Sequence, residues 1–525
     1  MKNTIYYGDN LNVMRKYIPP ESIDLIYLDP PFNSKKQYNI IYKDPTGKKS
    51  ESQVVAFSDT WKWDKKAEET YRELVERADS NITKVITSYY NLLGDCSLMA
   101  YLVMMTIRLI EMKRVLKNTG SIYLHCDPTA SHYLKIIMDN IFGVKNFRNE
   151  IVWHYTKMNA STKNWIQNFD TLYFYTKTGN YTFNVQRLKK ESSALKQRFL
   201  PNIGVDDKLR WENAKDIKQQ LLDSYIKSAK KRLDRPLIDS DVIINFEQKG
   251  MKKYDNVWYI PILKGNSREY CGYPTQKPLA LLELIIKASS NEGDIILDPF
   301  CGCATALVAS QKLKRKWIGI DVTYHSVKLL EERFEKNHLY ANVLANGLKH
   351  NIHSYDIIGE PESKYAAEEL FKSNAHEFAT WSILKINGKP NDKKTRDGGV
   401  DGFYDFMDGP NRTKAMRGLI QVTGGEKSLT IDKVRAFCAV VNKNEVPIGI
   451  FITLHEPTDG MKREFLKQGE YVSHSGQKYP KIQFVMIAEI IENKTLDIPW
   501  VNENKKKKGI QFKFGNVEDN GKNSL

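Results

Sequence analysis

The chain has 525 residues, of which 41% are hydrophobic, and a net charge of +16. That length suits two or three domains with real cores, while no apolar run approaches the ~20 residues of a membrane-spanning helix. The opening Met1-Lys2-Asn3-Thr4-Ile5-Tyr6 lacks the apolar core of a secretory leader. Six cysteines without regular spacing predict a reducing compartment, so a cytoplasmic protein with no membrane partner is expected. The basic excess points to a polyanion, and its distribution is uneven. Residues 346–525 carry 27 basic and 24 acidic side chains, which leaves +13 on residues 1–345.

In chain order, Ile5-Tyr6-Tyr7 reads as a strand running into Gly8-Asp9, with Asp9-Asn10 capping a helix through about Arg15. Leu25–Leu28 is a short buried strand ended by Asp29-Pro30-Pro31-Phe32, since neither proline can donate to a sheet ladder. Its tip therefore carries a carboxylate, a carbonyl and an aromatic ring. Residues 33–60 look polar and irregular, a loop directly after that tip. A long helix from about Leu98 to Leu116 is closed by Lys117-Asn118-Thr119-Gly120, with cations and glycine where a helix C-terminus favours them. Strand Ser121–Cys126 and helix His132–Phe142 follow, then β-like runs at 151–153 and 171–175.

Residues 186–235 carry 14 basic against 7 acidic side chains and read as a basic helical insertion. Alternation then returns: helix Pro278–Ala288, strand Ile295–Asp298, helix Ala304–Lys312, strand Trp317–Asp321 and helix Tyr324–Lys336. Strands and helices alternating at this spacing predict a doubly wound α/β fold with a mainly parallel sheet. A linker is expected at 346–362 and a small α+β domain at 363–500, with a solvated basic tail at 501–525.

Asp298-Pro299-Phe300-Cys301-Gly302-Cys303-Ala304-Thr305 sits between a strand and a helix, where a ligand can meet strand ends and a helix N-terminus. Small residues there let the backbone approach a ligand closely. Asp321 ends the next strand, placed to accept hydrogen bonds from ribose hydroxyls. The loop lacks the Gly-x-Gly-x-x-Gly of dinucleotide enzymes, which argues against a dehydrogenase.

Those eight residues resemble the S-adenosylmethionine (SAM) motif of amino-group DNA methyltransferases, and Asp29–Phe32 resembles their catalytic motif. The order here, catalytic motif first and SAM motif last with a basic segment between, resembles the beta class. Thr275-Gln276-Lys277-Pro278 is similar to the helix-start motif of that class, and Gly8-Asp9 to its early acidic motif. The resemblance covers about residues 1–345 and implies a Rossmann-like SAM-dependent methyltransferase sheet, with a target-recognition region at about 151–275. It implies cofactor contacts from Asp9, Thr275, Lys277, Asp298, Phe300, Gly302 and Asp321, with Lys277 and Thr275 at the methionine carboxylate. Ala304 departs from the pattern, adding a methyl where the motif usually has glycine.

The chemistry such a site needs is legible in the opening tip. An exocyclic amine conjugated to a purine is a poor nucleophile. Carboxylate and carbonyl acceptors from Asp29 and Pro30 could each take one N–H and turn the lone pair toward an electrophilic methyl. Pro31 would fix the turn and Phe32 would stack on a base extruded from duplex DNA. The resemblance implies adenine N6, with cytosine N4 as the alternative. Aromatics of the recognition region such as Trp165, Trp211 and Tyr225 are expected to pack in the core, while Arg, Lys, Asn and Gln contact DNA.

In the C-terminal part, Gly399-Val400-Asp401-Gly402 and Gly418–Gly425 resemble the core of Mrr-like restriction endonucleases, a PD-(D/E)xK-like fold. The resemblance implies a metal site for Mg²⁺ from Glu377, Asp401 and Gln421. The expected lysine position is Thr423, so a degenerate nuclease is expected, the alternative being a bifunctional restriction–modification enzyme. Double-stranded DNA is the expected partner, and the oligomeric state is left open, a homodimer among the options.

Overall fold

A computed structural model describes residues 1–31, 61–156, 165–189, 251–337, 355–391, 400–409 and 414–492, with residues 339, 494 and 497. It also gives the backbone of short strands at 37–43, 49–58, 202–203, 209–212, 242–245, 341–345 and 348–352.

The chain builds a nine-stranded mixed sheet. Its strands are β1 (Thr4–Tyr7), β2 (Ile23–Leu28), β3 (Leu116–Cys126), β4 (Phe147–His154), β5 (Phe169–Thr176), β6 (Val257–Tyr259), β7 (Ile295–Asp298), β8 (Lys316–Asp321) and β9 (Asp356–Ile358). Their order is β6-β4-β5-β3-β2-β7-β8-β1-β9. All adjacent pairs are parallel except those of β5, which runs against both β3 and β4. Near-continuous apolar runs such as Leu25–Leu28 suit strands buried on both faces. The side chains alternate accordingly: Ile26 and Leu28 join one core cluster with Leu124 and Ile318, while Leu25 and Tyr27 join another with Tyr123 and Leu281.

The helices that cover those faces include α1 (Asn10–Tyr17), α2 (Ser97–Val115), α3 (Leu279–Ser289), α4 (Thr305–Lys312) and α5 (Tyr324–Lys336). Helix α2 is apolar nearly all round and lies deep in the core, with Arg108 as a buried cation on it. No helix among the described residues is long and apolar enough to cross a membrane.

Several local expectations change. The segment read as a loop at 33–60 holds an antiparallel pair, Gln37–Lys43 with Lys49–Ser58. Its Tyr38, Ile40 and Tyr42, and its Val55 and Phe57, recur at every second position and favour a pleated ribbon over a loop. Helix α2 ends at Val115 and the chain turns straight into β3, so Lys117–Gly120 extends a strand rather than closing the helix. Within 186–235, read as helical, the described backbone forms short strands at 187–189, 202–203 and 209–212. Trp165, expected in the core, is fully exposed. Tyr225 and the side chain of Trp211 lie outside the described residues.

The C-terminal part is α+β. Helices α6 (Lys364–Ser373) and α7 (Ala375–Lys385) precede a five-stranded sheet of β10 (Lys389–Pro390), β11 (Gly402–Asp408), β12 (Lys414–Thr423), β13 (Gly449–Thr453) and β14 (Ile482–Met486), with helix α8 (Ile431–Lys443) between β12 and β13. The stretch read as a linker contains β9, which pairs with β1. Trp381 and Phe378 of α7 share a hydrophobic cluster with Trp317, Tyr324 and Phe334, so the two parts share one apolar core. Residues 498–525, including the expected basic tail, lie outside the described residues.

Candidate active site

Parallel strands end their chains at one edge, and here β1, β2, β7 and β8 bring Gly8-Asp9, Asp29, Asp298 and Asp321 to a cavity of about 850 Å³. That volume lies within the ~300–1,000 Å³ of small-molecule sites. Pro30, Pro31, Thr275, Lys277, Phe300 and Gly302 also line it. The geometry therefore brings together every residue expected for catalysis or cofactor binding except Phe32, which lies outside the described residues.

The loop after β7 is held from several sides. Asp298 Oδ1 accepts from Phe300 N at 3.1 Å, Cys301 N donates to Ile320 O at 3.1 Å, and Asp321 Oδ2 accepts from Gly302 N at 2.8 Å. The other Asp321 oxygen accepts from the Thr323 amide and hydroxyl. Gly302 has φ of +47° and Ala304 φ of +59°. The left-handed backbone at Ala304 costs an L-residue on the order of 1 kcal/mol, which explains why glycine suits this position. Its methyl is fully buried as the residue before α4. Burial pushes the Asp298 carboxyl well above the usual carboxylate range, and the neighbouring Asp29 and Asp321 add to this. Burial likewise raises Asp321, against the hydrogen bonds from Thr323 and Gly302.

Asp9 caps α1 through Leu11 N and Asn12 N, while its Oδ2 accepts from Arg108 Nη2 at 2.7 Å. Arg108 Nε donates to Asn10 Oδ1 at 2.5 Å, and Asn10 Nδ2 donates to Pro299 O at 2.7 Å. A buried cation on α2 thus ties the early acidic turn to the loop after β7. Arg108 carries no motif in the sequence, and Asn10, read there as part of the helix cap, instead bridges Arg108 and Pro299. The available signal was the single charge between Ser97 and Ile110, because buried cations are nearly always paired.

At the opposite end, Lys277 Nζ forms an ion pair with Asp29 Oδ2. Asp29 Oδ1 is buried without a hydrogen-bond partner among the described residues. A buried carboxylate oxygen left unsatisfied is costly, and such an atom facing a cavity is a place for a ligand's donor. Behind it lies a polar chain that the sequence analysis also missed: Tyr27 hydroxyl to His125 Nδ1 at 3.0 Å, His125 Nε2 to Asp170 Oδ2 at 3.2 Å, and Tyr155 hydroxyl to Asp170 Oδ1 at 2.9 Å.

Residues 23–332 match the family model described as DNA methylase. The chain belongs to that family. The chain is 30% identical over 264 residues to the type II methyltransferase M.EcaI of Enterobacter cloacae, covering 45% of this chain and 57% of that protein. It is 26% identical over 345 residues to the DNA adenine methyltransferase YhdJ of Escherichia coli K12, covering 65% of this chain and 86% of that protein. The type II methyltransferase M.HpaI of Haemophilus parainfluenzae is 27% identical over 226 residues, covering 43% of this chain and 56% of that protein. The chain thus spans little more than half the length of M.EcaI and M.HpaI. Among solved structures, the cytosine-N4-specific PvuII DNA methyltransferase aligns at 15% identity over 66% of this chain and 89% of that chain, with a TM-score of 0.33.

The C-terminal part of the chain gathers less. Asp401 Oδ2 accepts from Val422 N at 2.7 Å, and buried Gln421 has its Oε1 without a hydrogen-bond partner among the described residues. Glu377 does not join them through its Oε1, which accepts from the Tyr7 hydroxyl at 2.9 Å and from Tyr324 N at 2.7 Å. Thr423 Oγ1 is 3.3 Å from Lys433 Nζ. Among the described residues no group of three or more His, Cys, Asp or Glu is arranged to hold a metal ion.

Proposed function

We propose that the chain is a site-specific DNA methyltransferase that modifies adenine N6 in duplex DNA with S-adenosylmethionine as methyl donor. The observation that carries this reading is the buried, unsatisfied Asp29 Oδ1 beside Pro30 in the cavity. An exocyclic N–H would supply the missing donor, and the carbonyl of Pro30, which also lines the cavity, would accept the second. Two acceptors on one amine favour a tetrahedral nitrogen whose lone pair is free to attack. S-adenosylmethionine, when bound, supplies an electrophilic methyl group.

The donor set fits that cofactor. Asp321 and Asp9 line the cavity as acceptors that suit ribose hydroxyls and an adenine amine, and Lys277 and Thr275 line it as donors that suit a carboxylate. Asp298, Phe300 and Gly302 would frame it between them. Pro31 stiffens the turn and Phe32 would stack on the extruded base. The segment at about 151–275, with its basic excess, is read as the target-recognition region. A cytoplasmic protein acting on chromosomal DNA suits this reading.

The C-terminal part is read as a degenerate Mrr-like nuclease domain. Its support is the engagement of Glu377 at the junction with Tyr7 and Tyr324, which leaves Asp401 and Gln421 as the remaining ligands for Mg²⁺. Lys433 reaching Thr423 favours a second reading, a working nuclease whose cation comes from α8.

Digestion of methylated duplex to nucleosides tests the main reading. Labelled methyl is expected in N6-methyl-2′-deoxyadenosine. Label in N4-methyl-2′-deoxycytidine would replace adenine by cytosine, and no label in duplex DNA would overturn the reading.

A further inference from the structure

We propose that His125 and Asp170 take up, through Asp29, the proton that the target amine sheds as it is methylated; this rests on the adenine-N6 reading above. His125, the penultimate residue of β3, is wholly buried. Its Nδ1 lies 3.8 Å from Asp29 Oδ1, the same oxygen that has no hydrogen-bond partner among the described residues. Its Nε2 lies 3.2 Å from Asp170 Oδ2. The titratable groups around the ring are Tyr27 and Asp29 from β2 and its tip, Asp170 from β5, Tyr155 after β4, and Lys277, whose charge reaches Asp170.

The protonation states follow from this arrangement. Burial pushes Asp170 up, but the hydrogen bond and charge of His125, with Lys277 and Tyr155, hold it lower, at about 2. An ionised Asp170 requires a donor, so whenever the ring is neutral its hydrogen sits on Nε2. Nδ1 then carries a lone pair toward Asp29 and accepts from the Tyr27 hydroxyl. A ring packed only for stability would not need its acceptor nitrogen turned to the catalytic carboxylate.

The reaction creates a proton that must go somewhere. The amine nitrogen bonds the methyl carbon with its own lone pair, and the carbon–sulfur pair stays on sulfur as the sulfonium becomes a thioether. The nitrogen is now cationic, and loss of one N–H proton returns that bonding pair to the ring. Asp29 Oδ1 receives the proton and passes it to His125 Nδ1, because an imidazole is ordinarily a stronger base than a carboxylate. The separation must close by ~1 Å, and catalytic hydrogen bonds are commonly long before substrate binds. As the proton arrives, the Tyr27 hydroxyl turns from donor to acceptor, and the imidazolium rests against Asp170. Asp29 is an anion again for the next base. His125 touches no reacting atom; it is a positioning residue acting through Asp29.

Two measurements test this. Nitrogen-15 NMR of the free protein reads the tautomer: hydrogen on His125 Nε2 is expected, and hydrogen on Nδ1 overturns the proposal. Single-turnover methyl transfer is then followed between roughly pH 5 and pH 9 in the wild type and in His125→Asn. The variant is expected to be slower by about 100-fold or more, with a profile of different shape. Its affinity for S-adenosylmethionine and its base extrusion, read with a fluorescent purine, stay within roughly threefold. An unchanged profile shape in an active His125→Asn overturns the inference alone. A wild type that methylates no duplex adenine overturns the adenine reading and the inference with it.

Discussion

Tyr7, in the first strand, donates a 2.9 Å hydrogen bond to Glu377, 370 residues later in the C-terminal part. The same Glu377 oxygen accepts from Tyr324 N at 2.7 Å, at the start of the helix that follows Asp321. One buried carboxylate thus joins the C-terminal part to the turn after Asp321 that lines the cavity. Around it, Tyr7 and Tyr324 pack edge to face, and Lys385 pairs with Glu360 at 2.9 Å.

Glu377→Ala strands the Tyr7 hydroxyl and the Tyr324 amide in a buried place. A loss of about 1–3 kcal/mol is expected, because each buried donor left unmade costs its desolvation. Glu377→Gln keeps an acceptor and should lose less. Denaturant unfolding of the two variants checks the order, and equal stability of wild type and Glu377→Ala sinks the idea.

Asp29 and Asp321 should separate chemistry from cofactor binding. Asp29→Asn removes the anionic acceptor for the amine, so methyl transfer falls by about 100-fold or more. Cofactor affinity stays near wild type, since the Asp29 partner Lys277 remains in the cavity. Asp321→Ala frees Gly302 N and the Thr323 turn. At about 1.4 kcal/mol per decade, loss of these ties predicts at least a tenfold weaker cofactor complex. Calorimetric titration paired with single-turnover kinetics decides, and the reverse pattern removes both assigned roles.

The sheet and its motif-bearing loops were legible because apolar runs punctuated by Asp-Pro are local signals. Asp298 and Asp321 end strands in the sequence and in the fold, and Asp29 directly follows one in both. Arg108, His125 and Asp170 were not legible, since their meaning lies in pairings 99 residues apart for Arg108–Asp9 and 45 apart for His125–Asp170. The reversed β5, which supplies Asp170, carries no local mark of its direction. The 37–58 ribbon was lost for the opposite reason: many polar residues hid a period-two pattern. Glu377 was readable as a buried helical carboxylate, but its partners belong to the first strand and to α5.

Acid should loosen the same junction. His325, on α5, is buried, and burial followed by the nearby His376 lowers its pKa to about 3. Because the folded value lies below the ordinary ~6.5, the unfolded chain binds the proton more readily. The contribution is therefore whole above about pH 6.5 and is lost as pH falls toward 3, costing about 2 kcal/mol by pH 5. Unfolding at neutral pH and at about pH 5 should show a smaller difference in His325→Gln than in wild type. An equal difference would mean the imidazole is not held neutral.

The C-terminal part supplies the last test. A metal-dependent nuclease needs carboxylates around the cation and a positive group near the attacked phosphate. Here Asp401 already serves Val422 N, Glu377 Oε1 serves Tyr7 and Tyr324, and Thr423 stands where a lysine is expected. Full-length protein with Mg²⁺ is expected to leave unmethylated duplex intact. Lys433 sharpens the alternative, because its ammonium lies 3.3 Å from Thr423 Oγ1 and its charge is felt at Asp401. If cleavage does occur, it should vanish in both Asp401→Ala and Lys433→Ala while methyl transfer persists, and the degenerate reading then falls. Cleavage that survives both substitutions belongs to a contaminant and not to this site.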